Sequence, residues 1–242
     1  MDAIRCAMTQ SVKQFITHPL LHALNERQIT RRQFQVFAVE RHLATAIFVP
    51  LLERLLLLAT QASNELLVRV VADNLADETG MRLPAPAGYG SMSHAIWRAD
   101  YLRALGLDPT DKPTPSLGAC AYEAHLRTLL TDEDYRVLAG ALLFLEASIP
   151  PEFQRIRRSR DDLFPEAFVL NKNDSCKKRE AKRRGRFYLD DHIIHDATDH
   201  LPRLRAAVEQ TDPESKLIIQ GIIRAKAAKL ALYDGVSMLF NS

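Results

Sequence analysis

Cysteine is scarce in this chain. Cys6, Cys120 and Cys176 are the only three in 242 residues, and they stand far apart with no CxxC pair. That excludes a disulfide framework and a thiolate zinc site. Glycine is scarce too, nine in all, and turn clusters are few, which disfavours a sandwich or barrel against long helices. Charge of one sign is also missing. A net charge of +2 gives no global pull toward nucleic acid or membrane. The strongest apolar run, Leu55 to Ala59, follows Glu53 and Arg54 and is too short to span a bilayer. Asp2 and the lack of an apolar leader core argue against a secretory signal. A reduced, cytoplasmic protein is expected.

What is present is helical periodicity. At 47% hydrophobic residues the chain can bury a substantial core, and one domain over residues 1–242 is expected. A first helix is expected from Ala3 to Thr17. Thr30 caps a long helix to Ala59 that Pro50 kinks. Ser63 caps a third helix ending near Gly80. A loop holding Pro84, Pro86, Gly88 and Gly90 leads to a helix from Ser93 to Leu105. Further helices are expected from Ser116 to Leu130 and from Asp134 to Ser148, where Pro150-Pro151 break the chain. Another short helix fades before Asp161. A polar helix follows, kinked or ended at Pro202, and a last one runs from Pro213 to Phe240. Residues 171–186 are strongly basic, with eight Lys or Arg from Lys172 to Arg186. They read as a solvated surface loop running into a basic helix start, or as a mobile lid. No aromatics interleave for base stacking, so no nucleic-acid partner is expected.

The densest chemistry lies in Tyr188–His200, where three histidines and four aspartates fall within thirteen residues. At about 100° per residue, His192, Asp196 and Asp199 share an arc of about 60° on an ideal helix. His200 lies about 40° beyond Asp196 on the same scale. Imidazole mixed with carboxylate suits iron or zinc, whereas an all-oxygen set suits magnesium or calcium. The alternative is a solvated polar helix face. Three more polar groups interrupt apolar helices. Glu146 sits inside Gly140–Ile149, where a lone buried carboxylate is costly unless paired or bound to a cation. Glu78 follows Leu75 by three residues, and His94 precedes Ala95-Ile96-Trp97.

Taken in order, these residues resemble the motifs of the heme-oxygenase-like diiron oxidases. They run from a Glu within Asn74-Leu-Ala-Asp-Glu78-Thr-Gly80 to a His before an apolar-aromatic pair. A Glu follows in an apolar helix ending in Ile-Pro, and then an aromatic-led His-x3-Asp helix. The superfamily includes natural-product N-oxygenases and desaturases and the chlamydial death-domain-associating protein. The resemblance spans Phe34 to His200. It implies an all-α bundle of about seven helices and two Fe ions, with O2 as co-substrate. The ligands it implies are Glu78, His94, Glu146, His192 and Asp196. The family's closing His is replaced by Asp199, with His200 one residue later. The angular estimate puts Asp199 slightly ahead, while local unwinding would bring in His200. Glu146, in the most apolar surroundings, is the candidate bridge and catalytic residue. Glu78 and His94 would serve one iron, and His192, Asp196 and Asp199 or His200 the other.

The resemblance further implies oxidation of a small substrate, an amino acid or a derivative, by N-oxygenation, desaturation or C–C cleavage in natural-product biosynthesis. Arg41 and His42 are candidates for a substrate carboxylate, and Glu40 for an amine or the metal. A homodimer, common in this fold, is the expected assembly, with no membrane partner. Two other functions share the fold. A thiaminase-like enzyme would need a cysteine between Ala141 and Ile149, and none is there. A metal-free cofactor oxidase would not need Glu78 and Glu146. A non-catalytic interaction module is the remaining alternative.

Overall fold

The computed structural model describes residues 3–81, 93–111, 113–211 and 215–240, and among them there is no strand. The elements are α1 (Ala3–Ile16), α2 (Pro19–Asn25), α3 (Arg31–Ala44), α4 (Phe48–Gln61), α5 (Glu65–Thr79), α6 (His94–Ala104), α7 (Leu117–Leu130), α8 (Tyr135–Leu163), α9 (Pro165–Phe168), α10 (Cys176–His195), α11 (Leu201–Thr211) and α12 (Lys216–Phe240). The expected seven-helix bundle therefore has more segments, because long helices are interrupted without leaving the bundle. The expected loop at Pro84 to Gly90 and the expected helix start at Pro213 lie outside the described residues.

Proline explains most of the differences. The break expected at Pro50 falls earlier, in a 3-10 turn at Thr45–Ile47. Pro50 then occupies the first turn of α4, where a missing N–H is not needed. Pro150-Pro151 do not break α8, which runs on for 29 residues. They delete the N–H groups that would bond the carbonyls of Glu146 and Ala147. Residues on both sides, Phe144, Leu145, Phe153 and Ile156, are nonetheless buried, and this packing outweighs the local propensity. Before Pro202 the chain widens into a π turn at Asp196–His200. Asn64, not Ser63, caps α5, accepting from Leu67 N at 3.1 Å. Thr30 caps α3, as expected, and Gln33 completes a reciprocal box with it.

Buried side chains from Ile4 to Val236 form one hydrophobic cluster. Its tightest contact is between α8 and α12. A Cβ built on Gly221 would stand 1.9 Å from Val137 O, and one on Gly140 2.0 Å from Ile218 O. Only glycine lets these backbones approach so closely. Taken together, Arg31–Gln61 is long and apolar enough by length and composition to cross a membrane, more than the Leu55–Ala59 run alone suggested. In the fold its apolar residues Phe34, Phe37, Leu52, Leu55 and Ala59 are core. The basic helix start is found: Cys176 to Arg186 form the first half of α10. Lys182 is buried, donating to Asp174 at 2.7 Å and to Val169 O at 2.6 Å. Arg179 donates to the carbonyls of Asp174 and Lys172.

Candidate metal centre

Four helices and the π turn bring the centre together: α5 supplies Glu78, α6 His94, α8 Glu146, and α10 with the π turn supplies His192, Asp196 and His200. These residues fall into two sets of three, Glu78/His94/His192 and Glu146/Asp196/His200, with donor atoms in each set within 4.8 Å of one another. His192 thus stands with Glu78 and His94, not beside Asp196 as expected. The π turn decides the last position. An extra residue in the turn rotates His200 inward, and it is buried while Asp199 stays at the rim. His200 Nδ1 lies 3.4 Å from Asp196. Asp199 faces His195 and Arg203 instead.

Supporting contacts orient each donor. His192 Nδ1 lies 2.6 Å from Tyr188 O. A carbonyl can only accept, so Nδ1 carries the hydrogen and Nε2 keeps its lone pair. Asn74 donates to Glu146 Oε1 at 2.8 Å. Asp77 meets His200 Nε2 at 2.7 Å, a carboxylate behind an imidazole that fixes its ring and tautomer. Asp77 also forms a third candidate set with His195 and His200. Neither Asn74 nor Asp77 was expected, although both precede Glu78 on one face of α5 and were legible by spacing.

The electrostatics are those of groups gathered for a cation. Burial, then the nearby charge of Asp196, pushes the Glu146 carboxyl up to about 7. Burial likewise raises Asp196 despite its contact with His200. Burial works against a charged His200, but its hydrogen bonds to the Asp196 and Asp77 carboxylates outweigh it and raise the ring to about 10. Burial followed by the charge of His94 drives His192 well below its usual value. Glu78 and His94, 2.8 Å apart, overcome their own burial and shift toward the ion pair. Glu146 Oε2 and Asp196 Oδ2 are buried without a hydrogen-bond partner. An orphaned buried oxygen costs about 1–3 kcal/mol, more if charged. Two such oxygens beside mixed imidazole and carboxylate donors fit divalent iron.

Beside this centre lies a cavity lined by Glu78, His94 and His192 on one side. Phe48, Leu145, Ile149 and Phe153 make its apolar wall, and Arg41, Arg98 and Lys229 reach it as cations. Its room for the centres of water-sized occupants is about 60 Å³, where one water needs roughly 10–15 Å³. The remaining expected substrate residues separate here. Arg41 lines the cavity but is already held by Glu152 at 2.8 Å. His42 lines an adjoining space. Glu40 is occupied elsewhere: its carboxylate accepts from Ser116 N at 3.1 Å and Ser116 Oγ at 2.6 Å, at the start of α7.

Glu152 was missed because Pro150-Pro151 read as a break. It is fully buried, and besides Arg41 it accepts from Lys229 Nζ and from Tyr233 OH at 2.6 Å. Burial alone would raise its carboxyl, but Arg41 and Lys229 together hold it down at about 2. Lys229 Nζ also donates to Ser148 Oγ at 2.7 Å. This network fixes the cavity wall one and a half turns past Glu146.

A helical bundle with a two-lobed set of carboxylates and imidazoles at its centre has the heme-oxygenase-like fold, with residue groups that could hold a metal ion. The chain belongs to the family described as iron-containing redox enzymes, whose model matches residues 35–234. Among solved structures it is similar to a CADD-like protein of unknown function from Nostoc punctiforme PCC 73102. The TM-score is 0.73 at 17% identity, covering 97% of each chain. It is also similar to a TenA homolog from Pseudomonas syringae pv. tomato DC3000. There the TM-score is 0.68 at 9% identity, covering 97% of this chain and 91% of that one. These likenesses show the fold. No curated protein matches the sequence. All three cysteines are exposed, so among the described residues no thiol faces the cavity as a thiaminase nucleophile would.

Proposed function

We propose that the chain is a non-heme diiron oxidoreductase that activates O2 to oxidise a small amino-acid-derived metabolite by N-oxygenation, desaturation or C–C cleavage, in natural-product biosynthesis. The observation that carries this reading is the two sets of imidazole and carboxylate donors, in one of which Glu146 Oε2 and Asp196 Oδ2 are buried without a hydrogen-bond partner. Glu78, His94 and His192 would hold one ion, and Glu146, Asp196 and His200 the other. When bound, ferrous ions supply electrons to O2 and Lewis acidity beside the cavity.

The chain's own residues do the rest. His192 stays neutral and offers Nε2. Asp77 and Asn74 keep His200 and Glu146 in place. Phe48, Leu145, Ile149 and Phe153 keep bulk water from the reacting face. The Tyr188 hydroxyl accepts from Arg41 Nη1 at 3.4 Å beside the same cavity. The test is anaerobic reconstitution with Fe(II), metal analysis and O2 uptake. About two equivalents of iron per chain are expected, with uptake of O2 that His192→Ala abolishes. Protein that takes up no iron, or a His192→Ala variant that consumes O2 unchanged, would falsify the reading.

A further inference from the structure

Three cations line the cavity, Arg41, Arg98 and Lys229, and they are not equivalent. Arg41 is bound to Glu152 and lies over the Phe153 ring at 4.3 Å. Lys229 is bound to Glu152 and Ser148. Arg98 has no carboxylate within ion-pair distance among the described residues. Its hydrogen bond goes to the neutral hydroxyl of Thr45, and its Nε is buried with no partner. A guanidinium has five N–H donors in a flat fork that matches a carboxylate, and most of that capacity is unused here. Beside it, His42 Nδ1 is likewise buried without a partner.

Position makes the unused fork informative. Arg98 follows His94 by four residues on α6, so the two project from one helix face, and both reach the cavity. Arg98 also lines the adjoining space that contains His42, and so stands where the two spaces meet. Charge points the same way. Glu152 faces two cations, Arg41 and Lys229, and so leaves one positive charge over. Arg98 adds another. Glu78, the carboxylate on the cavity wall, would be taken by the metal and so would not offset these cations. A neutral or cationic occupant would leave this excess uncompensated.

We infer that Arg98, and not Arg41, is the residue that anchors a carboxylate on the substrate. That carboxylate lies in the Arg98 fork, with the substrate's apolar remainder against Leu145, Ile149 and Phe153 beside the donor sets. Arg41, the candidate from sequence, is instead a wall residue held by Glu152. This inference rests on the cavity being the substrate site of the proposed oxidase.

The test is anaerobic calorimetric titration of metal-free and iron-loaded protein with hexanoate and benzoate, against hexanamide and benzamide as neutral isosteres. In the wild type at least one of the two carboxylates is expected to bind at least tenfold tighter than its amide, in line with charge-assisted, two-pronged hydrogen bonding. Arg98→Gln is expected to erase that preference while keeping the iron content of the wild type. Arg98→Lys, which keeps the charge without the fork, is expected to retain only part of it. If Arg98→Gln does not fold, the lysine variant decides. Binding by neither carboxylate, no preference in the wild type, or an undiminished preference in the folded variant overturns the inference. Metal content is measured separately. Protein that takes up no iron on anaerobic reconstitution yet still selects carboxylates through Arg98 would sink the oxidase reading and leave the carboxylate anchor standing.

Discussion

Replacing Glu152 by glutamine changes shape very little and charge by one unit, at a position where the charge is heavily used. The carboxylate is fully buried between Arg41, Lys229 and the Tyr233 hydroxyl. Its carboxyl is held at about 2 against an ordinary 4.5, which corresponds to about 3 kcal/mol of folded-state stabilisation at neutral pH. Mutations that strand a buried partner cost about 3–5 kcal/mol, so the two routes agree. For a chain of this length, that is roughly 6–12 °C in melting temperature. The pH dependence has a definite sign. A depressed carboxyl contributes its stability above pH 4.5 and loses it as pH falls toward 2. Glutamine does not titrate. The gap between wild type and Glu152→Gln should therefore be full at pH 7 and narrow steadily below 4.5. Urea unfolding of both proteins at matched pH values measures it, and titrations elsewhere cancel in the difference. A gap under about 1 kcal/mol at pH 7, typical of an exposed pair, refutes the argument. So does a gap that is the same at pH 7 and pH 3.

Two further outcomes concern the donor sets. Asp199→Ala is expected to keep the wild-type iron content and His200→Ala to lose iron, because only His200 is turned inward. Metal analysis that ranks them the other way would restore the regular-helix reading. Glu146→Gln is expected to abolish iron binding yet stabilise the metal-free protein by about 1–3 kcal/mol, since it removes a buried carboxylate crowded by Asp196 whose Oε2 has no partner. A metal-free Glu146→Gln that melts below the wild type would count against the crowding described here.

The helical class was legible because few glycines and long apolar periods leave little else to build. Thr30 also announced its cap by residue type. The prolines misled where tertiary packing decided. Pro150-Pro151 look like a stop in isolation, but α8 is enclosed by apolar neighbours on both sides of them. Reading a stop there hid Glu152, and with it the reason Arg41 is unavailable. Lys229 was hidden differently. A lysine in an alanine-rich helix reads as solvent-facing unless its distant partner is known, and Glu152 lies 77 residues away in sequence.

The last ligand position shows the limit most clearly. A rotation of about 100° per residue assumes an unbroken α-helix, and on that assumption Asp199 shares a face with His192 and Asp196. Pro202 cannot donate to Thr198 O, and the chain meets that loss by widening into a π turn over Asp196–His200. Widening adds a residue to the turn and moves the inward position from 199 to 200. The same proline that was read as a kink or an end to the helix thus turns an imidazole, and not a carboxylate, inward at the last position. It leaves each set with at least one neutral-capable nitrogen donor, and it puts His200 where Asp77 can hold it.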